Sequence, residues 1–246
     1  MWPKKLFQKT KKHGGIIITA TDTEVGKTCI SKILLNYINK HSRSSSDPPK
    51  ADRTEMTEVI YIKPFSAGGK TSSDLSYIYG KKLPEKYDLL VPNHTTLPMA
   101  PYSATLLGKK PPNIQKAYKA IKTLSKKYDY LIIEGIGGLL VPLTKNITFL
   151  DFIKKLPYPI LLIGRPDLGT LNHSLLSKST IVQTLHRNVS QHRNVSPPLF
   201  YLFNNYKSAN RSPSVRASRE RTEVIDTNRK ILQSHFKNFL ENNIRI

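Results

Sequence analysis

Short continuous apolar runs alternate along the chain with stretches whose apolar positions recur every three or four residues. Ile16-Ile17-Ile18, Val59 to Ile62, Tyr130 to Ile133, Pro159 to Ile163 and Leu199 to Phe203 are runs of the kind that strands buried on both faces require. Cys29, Ile30, Ile33, Leu34, Tyr37 and Ile38 recur at helical spacing. So do Ile114, Ala117, Ile121, Leu124 and Tyr128, after the start signal Pro111-Pro112, and residues 171–185 read as a further helix. Buried strands separated by helices predict an α/β fold: a mostly parallel sheet covered by helices on both faces, in three layers. Ligands of such a sheet sit at the carboxyl ends of its strands. The pattern predicts a single domain over residues 1–246, with 1–13 as a basic tail and 42–58 as a solvated insertion. Residues 186–198, where HRNVS occurs twice, and residues 207–230, poor in apolar side chains, read as mobile loops.

Length and composition narrow the function classes. A chain of 246 residues can build a core without staples, and a single cysteine, Cys29, excludes an internal disulfide framework and a cysteine-based zinc cluster. His13, His41 and His94 have no partners at metal-ligand spacing. The apolar runs fall far short of the roughly 20 residues a membrane span needs. The amino-terminal segment MWPKKLFQKTKKHGG has no apolar stretch before a cleavage site, so a cytoplasmic protein with no membrane partner is expected. The net charge of +22 raises the question of a nucleic-acid partner. Residues 1–13 and 205–246 each carry a net +5, and the rest is spread thinly. That distribution reads as background basicity, and no nucleic-acid partner is expected.

The chemistry concentrates at Thr19-Ala20-Thr21-Asp22-Thr23-Glu24-Val25-Gly26-Lys27-Thr28, which follows a strand and opens a helix. Backbone N–H groups at a helix start carry partial positive charge and bind phosphate oxygens. Gly26 lets the backbone come close, Lys27 neutralises phosphate charge, and the Thr28 hydroxyl suits Mg²⁺. The chain therefore reads as P-loop NTPase-like. Where the common form of the loop has an early glycine, Ala20 and Thr21 stand here.

Thr21 to Thr28 resembles the signature of the dethiobiotin synthetase family, and the resemblance continues in order downstream. Lys63-Pro64 followed by Gly68 resembles that family's Lys-Pro turn, whose lysine is catalytic; Ala67 stands where a substrate-contacting serine is usual, with Ser66 beside it. Ser72-Ser73-Asp74 resembles the segment with a metal-binding aspartate. Glu134-Gly135-Ile136-Gly137-Gly138 resembles the Glu-Gly-Ala-Gly-Gly metal and substrate loop. Asp167 to His173, including Asn172, resembles the helix start that reaches the neighbouring subunit's substrate. Asn204-Asn205 falls where the family places residues near the adenine. Pro98, Pro101, Tyr102 and Ser103 match a proline-rich substrate loop in which Tyr102 replaces a histidine. The resemblance spans roughly residues 15–205; the Pro-Leu-Gly-x-Ile-Pro turn and sixth strand of the family have no counterpart pattern in 206–246.

The resemblance implies a cyclo-ligase that carboxylates 7,8-diaminopelargonate with CO₂ and closes a ureido ring at the expense of ATP. It implies Lys27 and Lys63 as catalytic residues and Thr28, Asp74 and Glu134 as Mg²⁺ ligands. ATP would be held by Glu24, Val25, Gly26, Lys27, Thr28, Cys29, Asp74, Glu134, Gly135, Ile136, Gly137, Asn204 and Asn205. Thr23, Glu24, Lys63, Ala67, Gly137 and Asn172 would meet the substrate, in a homodimer with shared pockets. On residue type alone Asp74 also suits a helix N-cap, Asn172 a helix cap and Asn204 a turn. A second reading is a chromosome-partitioning type ATPase that binds DNA through its basic surface. That class carries a lysine early in the loop, where this chain reads Thr-Asp-Thr-Glu.

Overall fold

The structure is a computed structural model that describes residues 1–41, 57–166, 168–187, 198–204 and 219–242. Six parallel strands form the central sheet in the order β10-β9-β8-β1-β5-β2. They are β1 (Gly15–Ala20), β2 (Val59–Ile62), β5 (Tyr130–Gly138), β8 (Ile160–Gly164), β9 (Leu199–Asn204) and β10 (Phe239–Asn242). All six residues of β1 are buried, as continuous apolar runs between two helical layers demand. The chain first works outward from β1 to β2 with β5 between them, then crosses to β8 and onward to β9 and β10. The order thus reverses at β1, which opens a cleft at the carboxyl ends of β1 and its neighbours. Two small sheets flank this cleft: β3 (Phe65–Ala67) with β4 (Asn93–Thr95), and β6 (Pro142–Thr144) with β7 (Ile147–Thr148).

The helices are α1 (Trp2–Thr10), α2 (Lys27–His41), α3 (Ser73–Tyr79), α4 (Tyr87–Leu90), α5 (Pro101–Leu106), α6 (Ile114–Lys127), α7 (Phe149–Ile153), α8 (Thr170–Arg187) and α9 (Arg219–His235). In α6 the Asn113 side chain caps the N-terminus, accepting from the Lys116 N–H at 2.9 Å, and Ala117, Ala120, Ile121 and Leu124 form the buried stripe. In α7 Thr148 and Asp151 form a reciprocal capping box. The open edge of β2 is covered by Tyr79, whose hydroxyl accepts the Tyr61 N–H at 2.8 Å.

Three expectations change. Residues 1–13 are not a tail: α1 packs on α2 and buries Trp2, Leu6 and Thr10. Those positions recur every four residues and so share one helix face, and Pro3 suits a first helical turn. Five lysines in a short stretch hide that spacing. Thr10 then bonds the Tyr130 hydroxyl at 2.6 Å, and Phe7 meets the Tyr130 ring edge-on. Residues 219–230 belong to α9 rather than a loop, with Leu232 fully buried. Beyond it β10 adds a sixth strand in parallel with β9, without the turn sequence that the family resemblance led one to look for. The insertion at residues 42–56, most of the 186–198 segment and residues 205–218 lie outside the described residues.

Candidate functional site

Three strand ends deliver the chemistry. β1 runs into the loop that starts α2, β2 ends one residue before Lys63, and β5 carries Glu134 beside Ile18 of β1. The loop's unusual backbone falls at Glu24 (φ 53°) and Gly26 (φ 95°). Ala20, the place of an early glycine, still lies in the strand, so a side chain there costs nothing in backbone strain. A Cβ on Gly26 would stand 2.6 Å from the Asn204 amide nitrogen, so position 26 tolerates only glycine. That amide nitrogen donates to the Val25 carbonyl at 2.7 Å. Asn204, expected near the adenine, thus braces the loop from the end of β9.

Around the loop the polar groups form one connected cluster. Lys63 Nζ lies 2.7 Å from Glu134 Oε1 and 2.8 Å from Asp74 Oδ2. Thr28 Oγ1 lies 2.8 Å from Asp74 Oδ1 and 2.9 Å from Glu134 Oε1, so its one proton serves one carboxylate at a time. Ser31 Oγ donates to Glu134 Oε2 at 2.7 Å. Glu134 is fully buried, and Lys63 nearly so at 4% exposure. A buried charge persists only when paired, which explains this set of donors. Asp74 is free for the cluster because Ser72, not Asp74, caps α3, its side chain accepting the Leu75 N–H at 3.3 Å.

Charge decides the protonation. Burial lowers the Lys63 pKa, but the Glu134 and Asp74 carboxylates outweigh it, and the ammonium ends above its ordinary value. Burial raises Asp74, and Lys63 with Thr28 more than offsets that, so Asp74 ends below the ordinary range. Lys27 is different. Burial first and the Lys63 charge second bring it down to about 8. Its ammonium folds back on its own loop, donating to the Asp22 carbonyl at 3.0 Å.

A cavity of about 720 Å³ opens over this cluster. It brings together Thr23, Glu24, Gly26, Lys27, Thr28, Cys29, Lys63, Ala67, Asp74, Glu134, Ile136 and Gly137, which sequence reasoning singled out. Val25 and Gly135 lie behind the wall: Gly135 packs under Phe149, where a Cβ would come within 2.5 Å of the ring. Asn172 is exposed near the start of α8 and does not line the cavity, and Asn205 lies outside the described residues. Ser66, the neighbour of Ala67, lines a separate cavity of about 310 Å³ and does not replace the missing serine. Pro98 lines the main cavity as expected, while Tyr102 does not. Sequence reasoning missed Ser31, Met99, Ala100 and Val141. Ser31 alone had a signal: it stands one helical turn after Lys27 and therefore faces the same way.

Comparisons with known proteins bear on the fold and the family. Residues 14–195 match the AAA domain family. A putative plasmid partition protein from Borrelia burgdorferi B31, solved bound to AMPPNP, has a similar fold, with a TM-score of 0.53. The match covers 92% of this chain and 84% of that one at 17% identity. The chain is thus a P-loop NTPase-like α/β protein. An ATP-dependent dethiobiotin synthetase of Endomicrobium trichonymphae is 34% identical over 169 residues, 67% of this chain and 71% of that one. That of Methanocaldococcus jannaschii is 34% identical over 166 residues, 66% of this chain and 71% of that one. The chain belongs to the ATP-dependent dethiobiotin synthetase family.

Proposed function

We propose that the protein forms dethiobiotin from 7,8-diaminopelargonate, CO₂ and ATP, using the cavity at the carboxyl ends of β1, β2 and β5. The observation that carries this reading is the buried Lys63 ammonium, held between Glu134 and Asp74 beside the phosphate loop. A phosphate loop alone serves many reactions. A second buried cation next to it serves one in which two anions meet. One amine of the diamine takes up CO₂ and becomes a carbamate. A carbamate oxygen attacks the γ-phosphorus and ADP leaves, giving a carbamic–phosphoric anhydride. The second amine attacks its carbonyl carbon, the C–O bond to phosphate breaks, and the ureido ring closes.

Lys27 and Lys63 offset the repulsion between carbamate and triphosphate in a poorly screened cleft. Little covalent work falls to the protein, so positioning and charge carry the catalysis. Thr28, Asp74 and Glu134 converge as one hydroxyl and two carboxylates, hard oxygen donors that fit Mg²⁺. When bound there, Mg²⁺ would neutralise phosphate charge. Thr23 and Glu24, exposed on the loop, face the diamine, and Ala67, Met99, Ile136 and Val141 give its alkyl chain an apolar wall. The exposed start of α8, with Leu168 88% and Leu176 59% exposed and Asn172 between them, suits a partner subunit that completes the pocket. The reaction draws on cytoplasmic ATP, in keeping with a chain in which no described helix is long and apolar enough to cross a membrane.

A coupled assay tests the reading. Phosphate release is expected to require both the diamine and bicarbonate. Release that is indifferent to the diamine and stimulated by DNA would support the partitioning class instead. A pH experiment tests Lys27. With its pKa lowered to about 8, the free protein holds it increasingly neutral at higher pH, whereas bound phosphate favours the ammonium. Binding therefore takes up a proton above that pH. ATP affinity is expected to fall by up to about tenfold per pH unit above 8, with a matching proton uptake in calorimetry. A flat affinity from pH 7 to 9.5, on the order of those limits, would show that Lys27 does not meet phosphate.

A further inference from the structure

Tyr61 is fully buried, yet its hydroxyl makes no hydrogen bond of ordinary geometry among the described residues, although the Glu134 carboxylate is close enough to act on it. Such groups are uncommon in folded proteins and call for an explanation. Its place in the sheet supplies one. Tyr61 of β2 stands opposite Ile132 of β5. Lys63 and Glu134 lie two residues further along their chains, so all four side chains share one face of the sheet. Tyr61 and Glu134 are diagonal neighbours, a spacing that a tyrosine spans.

Glu134 has its own vacancy. Its Oε1 takes Lys63 and shares the Thr28 proton, while Oε2 takes Ser31, whose one proton the Lys27 carbonyl also competes for. A carboxylate oxygen accepts two hydrogen bonds. In the reaction proposed above Lys63 must serve the carbamate and phosphate, and Thr28 the metal. Glu134, fully buried, would then face the metal on one side and keep Ser31 as its only described hydrogen-bond donor. We propose that Tyr61 is a positioning residue for Glu134: its hydroxyl is a reserve donor that closes on the carboxylate when Lys63 and Thr28 turn to the reacting groups. The inference rests on the ligase reading of the site.

The test is Tyr61→Phe, which keeps the ring and removes only the oxygen. In the resting protein no hydrogen bond of ordinary geometry is lost, so the melting temperature is expected to stay equal or rise. The kcat for diamine-dependent phosphate release is expected to fall by about 10- to 100-fold, the range for a hydrogen bond to a charged group, with both KM values within about twofold. An unchanged kcat, or a loss of kcat that follows a lower melting temperature, would overturn the inference. A wild-type control without diamine-dependent turnover would overturn the ligase reading together with it. Wild-type turnover with an unaffected Tyr61→Phe variant would overturn the inference alone.

Discussion

Replacing Lys63 by alanine is expected to lower kcat by about three orders of magnitude, the upper range for removing one preorganised charge contact to a developing anion. The change removes the one ammonium among the described residues that touches both Asp74 and Glu134. It leaves two neighbouring carboxylates, one fully buried, without their shared cation. Breaking a buried ion pair from one side costs about 3–5 kcal/mol, so a lower melting temperature is expected as well. Lys63→Met, which keeps the stem and loses the charge, removes the packing part of the loss while both carboxylates still lack their cation. Packing is largely restored, and the kinetic loss should remain. Single-turnover ADP formation at a temperature where both variants are folded is the measurement. Retention of a tenth or more of the wild-type rate by Lys63→Met would place the catalytic cation elsewhere.

Glu134→Gln is expected to be nearly as damaging for a different reason. The amide keeps the shape but has one acceptor oxygen and no charge. Lys63, Thr28 and Ser31 all direct donors at this side chain, so an amide nitrogen must face at least one of them. We expect kcat to fall by at least about 100-fold and the Mg²⁺ concentration for half-maximal rate to rise by about tenfold, the effect of losing one charged ligand. A Mg²⁺ titration of initial rates reads both. An unchanged Mg²⁺ requirement would remove Glu134 from the metal set.

Much of this was legible in the sequence, and the physical reasons are uneven. The five strands read from continuous apolar runs all form, because a sheet covered on both faces leaves no polar alternation to confuse the pattern. The loop was legible because Gly26-Lys27-Thr28 follows such a run. Long-range pairing was not. Nothing local says that Thr28, Lys63, Asp74 and Glu134 meet; the family pattern supplied that grouping, and the strand order brings it about. Asp74 against Ser72 as the cap of α3 was open on residue type, since both cap well. α1 stayed hidden because lysine outnumbers the two large apolar side chains it buries. α9 and β10 stayed hidden because much of their sequence is polar and β10 is short. Met99 and Val141 carry no chemical signal at all; only the fold puts them at the cavity.

The central claim is that a carbamate oxygen, not water, attacks the γ-phosphorus between Lys27 and Lys63. Turnover started with freshly dissolved oxygen-18-labelled bicarbonate in ordinary water, with diamine and ATP present, tests it directly by mass spectrometry of the phosphate formed. The account predicts labelled phosphate, because the oxygen that joined carbamate to phosphorus leaves with the phosphate at ring closure. Phosphate without label, formed at the same rate when the diamine is left out, would contradict it.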